Sequence, residues 1–213
     1  MEKLGLFPLN VVLFPDAVLP LHIFEDRYKK LINKCIRDKM PFGVNLMSKK
    51  KLFDIGCSAY VTNVIKRYED GRMDINITGE KRYKLTTFRD GEDIFFIGEV
   101  EYFDDEPDSE PDIELLNQTV GLFNKIATSI DNIEIHQFDP EEVPTQRPSF
   151  YIAQKSGLTL AQRQSLLEIT SENKRLVVLK KHLEEILPVI REAEKINNII
   201  KYDGYLNPRY FKK

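Results

Sequence analysis

Three histidines and two cysteines are the residues that nucleophilic, acid–base or metal chemistry would draw on first. His22, His136 and His182 lie far apart and lack the short spacings by which histidines share a metal, so no metal site is expected. Cys35 and Cys57 form no CxxC pair, and each falls within an apolar pattern. Apolar surroundings raise a thiol's pKa and suppress its nucleophilicity, so a Cys–His pairing of either with His22 is not expected to catalyse anything. No glycine is followed by lysine, which excludes the GxxxxGK[ST] phosphate loop. Carboxylates concentrate in Asp104-Asp-Glu-Pro-Asp-Ser-Glu-Pro-Asp112, where nothing apolar positions them for proton transfer. The residues therefore point to no catalytic residue, no metal and no cofactor.

Binding chemistry has more to draw on. Lys49-Lys50-Lys51 and Lys81-Arg82-x-Lys84 are short basic runs, read as a solvated loop and turn or as small anionic contact patches. Phe95 and Ile97 share one face of a strand with Glu99 and Glu101, which should point to water. Either the helical half covers that face, or it is an exposed apolar patch. On the second reading Tyr60, Phe95 and Ile97 are the candidate polypeptide-binding surface. The C-terminal stretch carries Tyr202, Tyr205, Leu206, Tyr210 and Phe211 and is too apolar for a solvated end. Tyr205, Tyr210 and Phe211 are its candidate contacts, to this chain or to a second copy.

The elements that must position these residues fall into two halves. The chain has 213 residues, 42% hydrophobic and 31% charged, enough to bury a core without disulfide or metal staples. Its net charge of −3 argues against a phosphate-backbone binder. No segment approaches a membrane span, the N-terminus lacks a secretory signal, and two unpaired cysteines suit a reduced cytoplasmic protein. Residues 1–103 read mostly as strands: Val11–Phe14, Phe42–Met47, an alternation from Cys57 to Ile65, another from Met73 to Thr78 after Asp70-Gly71, then Tyr83–Phe88 up to Asp90-Gly91, and Phe96–Tyr102. One helix interrupts them, with Tyr28, Leu31, Ile32, Cys35 and Ile36 on one face. Residues 104–112 read as an acidic linker that buries nothing.

Residues 113–200 are helical. Ile113, Leu116, Val120, Phe123, Ala127 and Ile130 step by three and four. A short helix is expected around Phe150–Gln154, and Thr159-Leu-Ala-Gln162 fits a capping box. From Ser171 a long seam runs through Leu176, Leu179, Leu183, Ile186, Ile190 and Ala193 to Ile200, broken only by Asn197 and crossed by Pro188. Residues 201–213 form the aromatic tail.

Read together, Phe7-Pro8-Leu9-Asn10-Val11-Val12-Leu13-Phe14-Pro15 and Val18-Leu19-Pro20-Leu21-His22-Ile23-Phe24-Glu25-x-Arg27-Tyr28 resemble the opening of the Lon protease N-terminal domain. Ile55-Gly56-Cys57-x-Ala59, Asp70-Gly71-Arg72 and Ile77-x-Gly79-Glu80-x-Arg82-Tyr83 resemble its central signature. Ala153, Leu158-x-Leu160, Gln162-x-Gln164-Ser165-Leu166-Leu167-Glu168 and Asn173-x-Arg175-Leu176 resemble its helical part. The resemblance implies an α+β fold: a twisted PUA-like barrel with one helix, then a helical bundle ending in a long helix. It implies a non-catalytic substrate-recognition module, since this chain contains neither the P-loop ATPase nor the Ser-Lys peptidase. The implied partners are unfolded or marked polypeptides and an AAA+ protease that the module serves as adaptor or regulator, with self-association through the C-terminal helix or tail. Glu25 and Arg27 match the family pattern and read as a structural ion pair or cap. Two rival readings stay open: an RNA-binding PUA-like module, and a small-molecule receptor.

Overall fold

The computed structural model describes residues 2–90, 95–107, 110–130, 136–139 and 142–201. Strands β1 (Glu2–Leu9), β2 (Val18–Ile23), β3 (Phe42–Ser48), β4 (Lys51–Arg67), β5 (Met73–Asp90) and β6 (Phe96–Tyr102) form one sheet in the order β2-β5-β4-β3-β1-β6. A further β5–β6 pairing closes it into a barrel. Closure removes sheet edges that would otherwise invite foreign strands. The closure works because β5 is one strand of 18 residues rather than two. Its first part pairs with β2, and its second part pairs with β6, while β4 runs along both.

Tyr83 fills the barrel with Leu4, Leu6, Leu85 and Val100. Its hydroxyl donates to Asn45 Oδ1 at 2.5 Å, and Asn45 Nδ2 donates to the Phe53 carbonyl at 3.0 Å, so no polar atom of this pair is left idle. Room for the ring comes from glycines: a Cβ at Gly43 or Gly56 would lie 2.3 or 2.7 Å from that hydroxyl. Helix α1 (Asp26–Asp38) packs Tyr28, Leu31, Ile32 and Cys35 inward, as its spacing predicts.

The segment Val11–Phe14 is not a strand. The strands lie on either side of it, and Val12, Leu13 and Phe14 are buried as a plug between barrel and helices. Phe14 stacks on Phe150 at 5.2 Å, and the Asp16 N–H and Ala17 carbonyl bond the backbone of Gly79. Apolarity there serves burial in an irregular loop, which a run of four residues cannot distinguish from a strand.

Helices α2 (Ile113–Ala127), α3 (Pro148–Ala153), α4 (Leu160–Glu168) and α5 (Glu172–Lys201) make the second half. Thr159 and Gln162 form the expected capping box on α4, and Ser171 Oγ accepts from the Lys174 N–H at the start of α5. Helix α3 begins two residues before the expected Phe150, with Pro148 in its first turn, where a missing N–H costs nothing. Helices α2 and α5 set out side by side, the Asp112 N–H donating to Asn173 Oδ1 at 2.7 Å. Leu176, Leu179 and Leu183 of α5 are fully buried, Ile186, Leu187 and Ile190 are half-buried, and no side chain from Arg191 to Asn197 is buried, so the cover of α5 thins past its midpoint. It continues through Pro188 without a break in the helix.

One residue of the acidic stretch departs from the expectation that the stretch buries nothing. Asp105 lies half-buried between Arg82 of β5 and Arg175 of α5, bonded to both. The two halves share a continuous apolar core across this junction. Gly91, Asp108 and Ser109 lie outside the described residues, as does the tail from Tyr202 onward.

Candidate functional site

Arg82 of the central signature and Arg175 of the helical part hold the two halves together. Arg82 donates to the carbonyls of Leu167 and Ile169 at 3.1 and 2.6 Å and pairs with Asp105. Arg175 pairs with Asp105 and Glu172, each at 2.5 Å, and its Nε donates to Ser149 Oγ. Glu172 in turn accepts from the backbone N–H and hydroxyl of Ser149 at 2.8 Å. Burial alone would raise the Asp105 carboxyl, but Arg175 and Arg82 outweigh it and hold Asp105 below the usual carboxylate range. The guanidiniums shift in opposite directions. Burial lowers Arg82, which has one carboxylate partner; for Arg175 burial is outweighed by two, and its pKa rises. Arg82 in the run Lys81-Arg82-x-Lys84 is therefore neither solvated nor a surface contact. Glu25 and Arg27 form the expected ion pair, at 2.8 Å.

No group of three His, Cys, Asp or Glu side chains able to hold a metal occurs among the described residues. Burial pushes the thiol of Cys35 up to about 11 and that of Cys57 up to about 12, which leaves both protonated and inert at neutral pH. His22 bonds Asp74 at 2.6 Å, His182 bonds the Ser156 carbonyl at 2.9 Å, and His136 lies 3.8 Å from Glu142, three unconnected places.

The expected surface residues separate. Phe95 is only 4% exposed, packed against the Gly5 backbone beneath α1, so it presents nothing to a partner. The expectation from sequence is that the helical half covers this face or that the face is exposed; Leu31 and Lys34 of α1 cover Phe95 instead. Ile97 is half-buried beside the main core. Tyr60 is 37% exposed and borders a pocket of about 210 Å³ between α1 and β4, with Cys35, Ile36 and Val64. Tyr205, Tyr210 and Phe211 lie outside the described residues.

A different apolar concavity gathers at one end of the barrel. A pocket of about 210 Å³ is lined by Leu9, Leu21, Phe24, Tyr28, Met47 and Phe96, which come from the ends of β1, β2, β3 and β6 and from α1. Phe24 is 59% exposed and Met47 36%. Phe88, 51% exposed, extends the patch through an edge-on contact with Phe96 at 5.6 Å. The rim is polar: Arg27 lies over the Tyr28 ring at 4.5 Å, and His22 stacks on Phe24. Asp74 anchors His22 and accepts from the Tyr68 hydroxyl at 2.8 Å; the bonds from His22 and then Tyr68 hold its carboxyl below the usual range. Aromatic and thioether side chains with a polar border suit apolar side chains of varied shape.

Parity in the sequence carries a signal for one of these residues, Phe24. Val18, Pro20 and His22 of β2 are exposed, and Phe24, directly after the strand, continues that alternation. On β5 a register shift between Leu85 and Thr87 breaks the parity, so Phe88 lies opposite Gly98 on the face of Phe96. A phenylalanine at an outward position is an exposed aromatic. Its convergence with Met47 and Phe96 is a property of the closed barrel alone.

A closed barrel with one helix, clamped to a helical half by a buried ion network and bearing an apolar surface, defines a binding domain. The chain belongs to the family described as the ATP-dependent protease La (LON) substrate-binding domain, which it matches over residues 3–185. It is similar to "Lon protease 2" of Syntrophobacter fumaroxidans, at 23% identity over 94% of this chain and 26% of that protein. It is 26% identical to the "Lon protease" of Escherichia coli, over 93% of this chain and 27% of that one. The chain thus spans about a quarter of the length of these relatives. Among solved structures, a Lon N-terminal domain protein from Xanthomonas campestris superposes with a TM-score of 0.66 at 25% identity, covering 84% of this chain and 97% of that one. The N-terminal domain of Mycobacterium avium complex Lon protease shares the fold, with a TM-score of 0.62 at 18% identity over 86% and 98%.

Proposed function

We propose that the chain binds segments of unfolded or marked polypeptide on the Phe24–Met47–Phe96–Phe88 patch, without catalysis of its own, as an adaptor or regulator of proteolysis that serves an AAA+ protease. The observation that carries this reading is the exposed aromatic and methionine pocket on a domain of the Lon substrate-binding family. Two buried, free cysteines support a cytoplasmic setting, and no described helix is long and apolar enough to cross a membrane.

Retention of a chemically denatured model protein on the immobilised chain tests it. Phe24→Ser should weaken retention about tenfold, as loss of an aromatic anchor does. Its thermal midpoint should stay nearly unchanged, because the side chain is exposed. Phe95→Ser is the internal contrast: it empties a buried site, costs about 3–5 kcal/mol, and lowers the midpoint instead. Undiminished retention by Phe24→Ser would sink the proposal. RNA retention that falls steeply with salt would favour the nucleic-acid alternative, which the net charge of −3 speaks against.

A further inference from the structure

The hairpin between β3 and β4 is built in an unusual way. Ser48 pairs with Lys51, which leaves Lys49 and Lys50 as a two-residue turn. Both have positive φ, 48° and 67°. Turns of this kind are filled by Asn-Gly or Asp-Gly, because a side chain in the left-handed region is strained. Here two lysines occupy the strained positions, and a third, Lys51, follows with its ammonium 4.8 Å from the Phe53 ring. All three are exposed, and none is in an ion pair among the described residues. Two positions before the turn stands Met47, a wall of the Phe24–Phe96 pocket. At about 3.3 Å per residue the turn begins within about 7 Å of that wall, inside the reach of a lysine side chain.

We propose that this lysine turn is a specificity element of the pocket, selecting client segments in which an apolar side chain is flanked by aspartate or glutamate. The inference rests on the pocket being the client site. The pocket takes the apolar side chain, and the unpaired ammonium groups beside it complement carboxylates on the same segment. An acidic peptide is the occupant rather than a phosphate backbone because the charge is a single turn beside an apolar wall, not a basic track. Strain kept in a turn that Asn-Gly would relieve is the sign that the side chains themselves are used.

The test uses two fluorescein-labelled peptides, each with a Leu-Phe-Leu centre, one flanked on both sides by two acidic residues and the other by two lysines. Anisotropy with the full chain should show the acidic peptide binding about tenfold tighter at about 20 mM salt. The preference should shrink toward parity at about 300 mM, as screening of exposed charges requires. The double variant Lys49→Asn, Lys50→Gly should lose the preference yet melt about 2–4 °C higher, because it removes strain. Lys51→Gln, which leaves the turn untouched, should reduce the preference in part. A more stable double variant with an unaltered preference would make the turn a solvated one and overturn the inference. So would a single-stranded oligonucleotide that binds through these lysines when the wild type does not separate the peptides. Phe24→Ser distinguishes the two levels. If it abolishes binding of both peptides while the wild type shows no preference, only the lysine proposal falls; if it binds both as the wild type does, the client-site reading falls too.

Discussion

At the residue scale the sharpest demand falls on Asp105. A carboxylate half-buried between two guanidiniums stabilises the fold only while it is ionised. Its folded pKa lies below the ordinary value of about 3.9, so its contribution is complete at neutral pH and is lost as pH falls through that value toward the folded one. Wild-type stability should therefore fall as pH drops below about 4, where the unfolded carboxylate protonates before the folded one. Asp105→Asn should be less stable at pH 7 by about 3–5 kcal/mol, because it leaves buried guanidinium charge uncompensated. It should also show a flatter profile over that acidic interval, measured by urea unfolding at each pH. Equal slopes for both chains would show that other carboxylates carry the acid transition. Nothing in the local sequence announces this role: Asp105 sits among four other acids within residues 104–111, and composition alone marks it as solvated. Its partners lie 23 and 70 residues away, so only the fold separates it from Asp104 and Glu106.

At the element scale two glycines predict opposite outcomes. Gly79 lies where the plug loop crosses β5, and a Cβ there would stand 2.2 Å from the Phe14 carbonyl oxygen, a backbone atom that cannot swing away. Gly79→Ala should displace the plug and destabilise the protein by several kcal/mol. Gly121, inside α2, has nothing within 4 Å of its would-be Cβ. Gly121→Ala should stabilise by about 0.5–1 kcal/mol through helix propensity alone. Thermal melts of the two variants check both signs at once, and a neutral Gly79→Ala would mean that the plug is not held at this crossing. Elements with a clear period were legible in the sequence: the seam of α1, the capping box of α4, the alternations of β4 and β5. The plug was not, because four apolar residues between Asn10 and Pro15 carry no period. Nor was the continuity of β5 through Gly79, where a glycine reads as a break and is instead the point at which another backbone comes closest.

At the scale of the whole molecule, two halves that differ in composition share one core, and what escapes that core is the far end of α5. The helix is 30 residues, about 45 Å, and its seam is consumed by packing only as far as Leu183. Ile186, Leu187 and Ile190 are partly covered, while Val189 and Ile196 are 67% and 52% exposed. The sequence makes the length of this helix legible but not where its cover ends, since the three–four spacing continues past the point at which α2 stops. Beyond it lie Tyr202, Tyr205, Leu206, Tyr210 and Phe211. An aromatic tail gains about 1.5–3 kcal/mol for each large side chain it buries. We propose that the tail aromatics are buried against this protein or a second copy. Deleting residues 202–213 should lower the thermal midpoint if the tail folds back. If it joins two chains, deletion should instead halve the mass measured by light scattering, and the full chain's midpoint should rise with concentration. A truncated chain with unchanged midpoint and unchanged mass would overturn burial of the tail on this protein or on a second copy.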